Sequence, residues 1–599
     1  MTDSFASSDD NRSNSPLAHA QSVTFPGPHK LLAGGVLPEL TVAYETYGTL
    51  NPDASNAVLI GHALTGDSHL ARHAPDDDAG WWEQLVGPGL GVDTDELFVV
   101  CANILGGCRG TTGPNTINPE TGQPYGPQFP TVQMQDIADA HAKLLDHLGI
   151  QKLKAAIGGS LGGHQAMTLA TRYPERVGTC IAIASSPRLT AQALAFDVVG
   201  RNAIIRDPFF HGGHYYDQKD KPTVGLAIAR MLGHITYLSP ESMQQKFDPD
   251  RLRPRDVETD FEKEFSVGSY LAYQGDKFVE RFDANSYLVI SKAMDLFDLG
   301  QTPELLAQTL DQSTCDWVVM SFSSDWLFTP QQSRDIVDAL TRLGRRVTYC
   351  EVPSEAGHDG FLLEDEVRRF GQIVKAKLSG QTSKTSEADP RKRGPRSIFG
   401  DDRIDYQTIV GLIDPAASVL DVGCGPGGLL AELKTRGQQD LQGIEVAEAD
   451  IITSAQRGLD VIDHDLNRGL ELFSDGRFDV VVLSQTLQAI VEVERVVDEM
   501  LRVGRRVIVS FPNFGYEPLR RMLFEEGRSP KSEGRFSYEW FNTPNRRFAT
   551  IADFEVFCDE RQIHRDEAVF LDSESGKQIN GDVNRLADTA IYVLSRSAE

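Results

Sequence analysis

The stretch Leu153-Lys154-Ala155-Ala156-Ile157-Gly158-Gly159-Ser160-Leu161-Gly162-Gly163-His164-Gln165 decides the fold of the first half of the chain. An apolar run stops at two glycines, presents one serine, and continues into Gln165-Ala166-Met167-Thr168-Leu169-Ala170, a good helix former. This reads as strand, sharp turn and helix, with Gly158, Ser160 and Gly162 in G-x-S-x-G spacing. Glycines suit such a turn because side chains there would clash. The pattern predicts a hydroxyl held at the end of a strand, beside the positive end of a helix. Taken alone, G-x-S-x-G is common, and a glycine-rich turn with an ordinary serine reads equally well. The strand–turn–helix context favours a nucleophile.

On either side of this turn, short apolar strands alternate with helical stretches. Leu40 to Glu45, Asn56 to Ile60 and Phe98 to Asn103 read as strands, Trp81-Trp82-Glu83 as a helix start, and 134–149 as a helix. A long Gly/Pro/Thr-rich loop spans Leu105 to Phe129. The alternation predicts an α/β fold, a mostly parallel sheet with helices on both faces. The partners of a nucleophilic serine should then follow later strands in the order acid, histidine. Asp316 to Phe322 is such a strand, ending in Ser323-Ser324-Asp325, and Val347 to Val352 is another, followed by Gly357-His358-Asp359-Gly360. These positions make Ser160 the nucleophile, His358 its general base and Asp325 the carboxylate that orients the imidazole. A lone loop histidine is more often structural; order, post-strand position and flanking glycines single out His358. His211, His214 and His234 read as structural. The backbone N–H groups of Leu161 and Leu64 are the expected oxyanion donors.

From Ala184 to about Thr314 the alternation lapses into helical segments, including Pro222 to Ser239 and Asn285 to Asp298, where a lid would sit. Arg230 lies on an otherwise apolar helix, so it is either surface-exposed or aimed at a carboxylate in the pocket. Asp359, beside the expected base, could capture an ammonium group. Together they would suit the two ends of an amino acid.

The stretch from about Val23 to Leu378 resembles the homoserine O-acyltransferases (MetX family) of the α/β-hydrolase superfamily. The matches are His62-Ala63-Leu64-Thr65-Gly66, Asn103-Ile104-Leu105-Gly106-Gly107-Cys108, the Gly158–Gly163 turn, Ala229 to Ser239, Ser324-Asp325-Trp326-Leu327 and Gly357-His358-Asp359. The resemblance implies ping-pong transfer from an acyl-CoA to Ser160 and then to homoserine, no cofactor for that step, a homodimer formed through the lid helices, and Arg230 and Asp359 at the homoserine-binding positions. His164 departs from the methionine more usual there. Members that resemble the succinyl-transferring group often carry arginine two positions after the triad aspartate. That position is Leu327, which favours acetyl-CoA; homoserine O-succinyltransferase and a water-accepting esterase or thioesterase are the alternatives.

The chain has 599 residues, enough for about two to four domains. A linker over 379–397, with Arg391-Lys392-Arg393 and no apolar residue larger than alanine or proline, separates a second domain. There Ser418 to Val422 is a strand ending in Gly423-Cys424-Gly425-Pro426-Gly427-Gly428; Leu429 to Lys434 begins a helix, and Glu445 ends a second short strand. An NAD-binding G-x-G-x-x-G does not fit. Asp421-x-Gly423-x-Gly425 resembles the S-adenosylmethionine-binding turn of class I methyltransferases, with Glu445 placed for ribose hydroxyls and Asp465 near the adenine. The alternative is an α/β domain that keeps the turn without the ligand. Residues 403–598 resemble the MetW family through Val482 to Gln488, Met500 to Arg506 and Ser510 to Gly515. Such a domain would support or regulate the acyltransferase, or methylate.

The expected organisation is a disordered tail over 1–20, an α/β-hydrolase domain over 21–378 with a helical lid over about 187–312, the linker, and a class I methyltransferase-like Rossmann-type domain over 398–599. A formal charge of −28 argues against nucleic acid and anionic lipid as partners. Seven scattered cysteines without a C-x-x-C predict reduced thiols and no metal; no signal peptide or membrane-spanning run is legible, so the cytoplasm is expected.

Overall fold

The computed structural model describes residues 17–248, 265–379, 403–530, 540–541, 543 and 545–596. Most of the expected tail and linker, including Arg391-Lys392-Arg393, lies outside the described residues. The chain divides into two compact units, residues 1–345 with 351–378, and residues 346–350 with 379–599.

In the first unit the strands are β1 (Gln21–Lys30), β2 (Val36–Tyr47), β3 (Ala57–Gly61), β4 (Phe98–Ala102), β5 (Leu153–Gly159), β6 (Val177–Ile183) and β7 (Asp316–Phe322), in the order β1-β2-β4-β3-β5-β6-β7. The first two pairings are antiparallel and the rest parallel. The central strand β5 has no exposed residue, as its unbroken apolar run requires when both faces are covered. Strand β1 carries Pro26 and Pro28, which disfavour a strand interior. It survives at the edge, with its register shifted between Pro26 and His29.

The helix expected at Trp81 does not form. Trp81 and Trp82 donate their backbone N–H groups to the carbonyls of His69 and Leu70, at 3.2 and 2.9 Å. Gly87-Pro88-Gly89 follows too soon for a helix to propagate. Trp82 is buried, and its indole N–H donates to the Phe361 carbonyl at 2.8 Å. The loop after Leu105 contains a short hairpin, Ile117–Asn118 with Gln123–Pro124.

Between β6 and β7 the described residues form six helices: Ala191–Ile205, Thr223–Tyr237, Pro240–Phe247, Ser266–Arg281, Ala284–Asp295 and Pro303–Leu310. Strand β8 (Val347–Val352) then leads into a 3-10 turn, Gly357–Leu362. The N–H of Ser323, just after β7, donates to the Val352 carbonyl at 3.1 Å, so the loops after β7 and β8 start side by side.

The second unit holds β9 (Val419–Val422), β10 (Leu441–Glu445), β11 (Val461–Asp463), β12 (Phe478–Ser484), β13 (Gly504–Pro512), β14 (Ile563–Asp572), β15 (Lys577–Gln578) and β16 (Thr589–Arg596). Their order is β11-β10-β9-β12-β13-β16-β14-β15, parallel as far as β13 and antiparallel beyond it. The strand order reverses between β9 and β12, and the ends of strands at such a switch point are where α/β sheets bind ligands. This is the mixed sheet of a methyltransferase-like fold. All seven cysteines are free, and no helix among the described residues is long and apolar enough to cross a membrane.

Candidate active site

Ser160 sits between β5 and the helix Leu161–Arg172 with φ 57° and ψ −125°, a conformation that L-residues rarely hold. Glycine neighbours make it feasible. A Cβ on Gly158 would lie 2.1 Å from the Gly162 carbonyl, and one on Gly162 would lie 2.0 Å from the Gly61 carbonyl. The turn is anchored by the Ser160 N–H to the Ile183 carbonyl at 3.0 Å and by Ser185 Oγ to the Ser160 carbonyl at 2.6 Å.

Facing the serine, His358 Nε2 lies 2.8 Å from Ser160 Oγ, and His358 Nδ1 lies 2.7 Å from Asp325 Oδ2. Asp325 Oδ1 accepts the backbone N–H groups of Leu327 and Phe328 at 3.0 and 2.9 Å, which fixes the carboxylate. All three side chains are buried. Burial pulls the His358 pKa down, but the Asp325 charge, its hydrogen bond and the charge of Asp359 outweigh this and raise it. An imidazole between a hydroxyl and a buried carboxylate can take the hydroxyl proton and stay charged while a tetrahedral adduct exists.

Leu161 opens a helix right after Ser160, so its N–H has no partner within that helix turn. Leu64 joins Ser160 in lining a cavity of about 40 Å³, together with Leu189, Phe196, Tyr237 and Leu327. The loop holding Leu64 is tied down by Ile104, whose N–H donates to His62 Nε2 at 3.2 Å.

Arg230 is buried, so the exposed alternative fails. Its Nη1 donates to Thr65 Oγ1 at 3.1 Å, and its guanidinium stacks over Phe278, 5.0 Å from the ring centre. Asp359 is half-buried next to His358. The sequence reading missed Arg281, buried on the next helix but one, which donates to the Thr65 carbonyl at 2.9 Å. It also missed Tyr237, whose ring centre is 5.9 Å from that of His358 and whose hydroxyl burial pushes up to about 12. His164 does not line the cavity. It stacks on Phe297 with ring centres 4.1 Å apart, and burial, with the charge of His358, pulls its pKa down to about 3.

In the second unit, Asp421, Gly423, Gly425, Glu445 and Asp465 all line one cavity of about 370 Å³ at the switch point. Gly425 takes φ 53°, and a Cβ there would meet nothing within 4 Å, so the turn leaves room for a ligand against the backbone. Glu445 shapes that turn: Oε2 accepts the Gly425 N–H at 2.8 Å, and Oε1 accepts those of Val446 and Ala447 at 2.8 and 3.0 Å. Asp465 is exposed at the rim, where Oδ1 accepts the Asn467 N–H at 2.9 Å. Burial pushes Asp421 up to about 7, with Arg403 opposing and Glu445 and Asp405 adding to the shift. Four buried oxygens on this wall, Asp421 Oδ1, Gln485 Oε1, Gln488 Oε1 and Asn545 Oδ1, have no hydrogen-bond partner among the described residues.

Comparison with known proteins separates the same two halves. The family described as "alpha/beta hydrolase fold" matches residues 56–365, and "Methionine biosynthesis protein MetW" matches residues 403–594. A "Bifunctional methionine biosynthesis protein MetXA/MetW" of Rhodopirellula baltica is 51% identical over 99% of this chain and 95% of its own length. A "Homoserine O-succinyltransferase" of Aromatoleum aromaticum is 50% identical over 58% of this chain and 92% of its own length. Among solved structures, homoserine O-acetyltransferase from Bacillus anthracis is similar with a TM-score of 0.55 and 27% identity, over 60% of this chain and 98% of that one.

Proposed function

The chain belongs to the bifunctional MetXA/MetW family of methionine biosynthesis proteins, a family of homoserine O-acyltransferases, and on that basis we propose that it transfers acetyl from acetyl-CoA to the hydroxyl of L-homoserine through an acyl-enzyme on Ser160. His358 takes the Ser160 proton as Oγ attacks the thioester carbonyl. The N–H groups of Leu161 and Leu64 stabilise the oxyanion, and the thiolate of CoA leaves with the proton held by His358. Homoserine then enters, its hydroxyl oxygen attacks the acetyl carbonyl as His358 takes the proton, and the adduct collapses with His358 returning that proton to Ser160 Oγ. Asp325 keeps His358 oriented throughout. Arg230 receives the homoserine carboxylate and Asp359 its ammonium group, while Thr65, held by Arg230 and Arg281, sets the loop beneath them.

The hydrogen-bonded Ser160–His358–Asp325 chain is the observation that carries the covalent mechanism. For acetyl over succinyl, the support is the cavity beside Ser160. At about 40 Å³, with Leu327 in its wall and no lysine or arginine among its lining residues, it suits a small uncharged acyl group. A succinyl carboxylate there would lack a cation. Paired rates with acetyl-CoA and succinyl-CoA test this; a strong succinyl preference would reverse the assignment. Acetyl-CoA consumed at the same rate without homoserine would make the enzyme a hydrolase.

The second unit is proposed to bind S-adenosylmethionine, which when bound supplies an electrophilic methyl group. Gly423 and Gly425 would give it access to the backbone, Glu445 would take the ribose hydroxyls, Asp465 the adenine edge, and Asp421 would complete the wall. The support is the cavity of about 370 Å³ that these five residues line at the switch point. We assign the chain to the cytoplasm, where acyl-CoA is made, and to a homodimer. Val198, Val199, Val224, Ile228 and Ile235 leave an exposed apolar face on two helices of the insertion, which supports the dimer.

A further inference from the structure

Away from Ser160, a cluster of chemistry-bearing side chains is left unused by acyl transfer. Among the described residues, Glu45, His69 and His73 form the one group of three whose ligand-type atoms all lie within 4.8 Å of one another. Glu45 comes from β2 and is fully buried; His69 and His73 come from the loop that begins at His62. Glu45 Oε2 faces His69 Nδ1 at 3.0 Å and His73 Nε2 at 2.8 Å.

The Tyr47 hydroxyl donates to the same Glu45 oxygen, Oε2, at 3.0 Å. His69 Nε2 lies 2.9 Å from the Asp78 carbonyl, so that nitrogen carries a proton. In the neutral ring, the lone pair of Nδ1 would then point straight at a carboxylate oxygen. Such a contact is repulsive unless a cation lies between the two atoms, a second proton or a metal ion. A carbonyl on the far nitrogen is what holds a metal-bound histidine in its tautomer. Ser68 Oγ donates to the other oxygen of Glu45 at 3.0 Å, fixing the carboxylate as well. The His73 ring packs against Tyr47 and His19, with ring centres 4.5 and 4.4 Å away, and its side chain is 20% exposed.

We propose that Glu45, His69 and His73 form a binding site for a divalent transition-metal ion of the zinc class, held by Glu45 Oε2, His69 Nδ1 and His73 Nε2 with an outward position left for water. Two imidazoles and one carboxylate match the ligand preference of such an ion. Ligand atoms in a tetrahedral zinc site sit roughly 3.3 Å apart, so the present separations need to open by a few tenths of an ångström. On binding, the ion displaces the proton between Glu45 and His69 to solvent, and the proton on His73 Nε2 is replaced by one on its Nδ1. The same loop carries Leu64 and Thr65, so an ion here would staple the oxyanion and homoserine loop to β2.

The test uses the full-length chain, stripped with chelator and titrated with Zn²⁺ by calorimetry and with Co²⁺ by visible absorption. A single tight site is expected, with proton release, the intense visible bands of low-coordinate Co²⁺, and a higher unfolding temperature with Zn²⁺. His73→Ala, at the exposed side of the cluster, should weaken binding by about 100-fold or more. Glu45→Gln serves as a second variant, judged folded by circular dichroism. Absence of binding in the folded chain, or undiminished binding in a folded variant, would overturn the proposal; the first result would leave a proton between Glu45 and His69.

Discussion

His358 Nε2 stands 2.8 Å from Ser160 Oγ, although 198 residues separate the two in the chain. One comes from a turn after β5 and the other from a 3-10 turn after β8, so only the sheet brings them together. The contact depends on Asp325, whose carboxylate is clamped by two backbone N–H groups before it reaches His358.

Asp325→Asn keeps the shape of that carboxylate but lets the imidazole turn to the wrong tautomer. Turnover should fall by a factor on the order of 10⁴ with little change in unfolding temperature, as read from steady-state rates and a thermal melt.

The pH profile follows from His358. The base works only when neutral, and Asp325 and Asp359 raise its pKa against the pull of burial. The acid limb of kcat/KM in the free enzyme should therefore lie above the ordinary histidine value of about 6.5. The linkage has the same sign: a raised folded-state pKa means the folded state holds the proton more tightly. Its contribution to stability is full below the unfolded pKa and is lost as pH rises through the folded one. In Asp359→Asn the limb should move down; a limb that stays in place would remove Asp359 from the electrostatics.

Two glycines should respond with opposite signs. Gly158→Ala forces a methyl to within 2.1 Å of the Gly162 backbone, which has no flexible end to move aside. A loss of at least 1–3 kcal/mol, roughly, is expected in chemical denaturation. Gly411, in the helix Ile404–Leu412, has nothing within 4 Å of its would-be Cβ, so Gly411→Ala should stabilise the second unit by up to about 1 kcal/mol.

Leu327 lines the acyl cavity beside Ser160. Leu327→Arg puts a cation where a succinyl carboxylate would end, and the ratio of kcat/KM for succinyl-CoA over acetyl-CoA should rise by about tenfold or more. An unchanged ratio would mean that donor choice lies elsewhere.

In the second unit, Gly425→Ala adds a methyl to the open cavity at φ 53°. The strain should cost about 1–2 kcal/mol, while affinity for S-adenosylmethionine in calorimetry should fall much further. If the unmodified chain gives no heat of binding, the nucleoside reading of this turn fails. Acyl transfer by a chain lacking residues 398–599 asks separately whether the first unit needs this one.

The glycine-rich turns were legible because their chemistry is local. Only glycine fits at positions 158 and 162, and an open left-handed turn marks Gly425. The positions of Asp325 and His358 could be read from chain order, their places after strands and the glycines that flank His358. Other features needed the folded chain. Trp81 begins no helix because its N–H pairs with His69, outside any local pattern. Arg281 looks like a surface residue until the helix Ser266–Arg281 delivers it to Thr65. Gln485, with φ 55° and a buried amide oxygen on the second cavity, sits in a stretch whose spacing suggested only a family likeness. Glu45, His69 and His73 escaped a search for short metal motifs because their ligand atoms come from a strand and a separate loop.

The central claim is tested most directly by incubating the full-length chain with acetyl-CoA alone, locating any acetyl group by peptide mass spectrometry, and then adding homoserine. The account predicts one acetyl group on Ser160, discharged by homoserine to give O-acetylhomoserine, and neither product in Ser160→Ala. Sustained transfer to homoserine by the Ser160→Ala enzyme would contradict it.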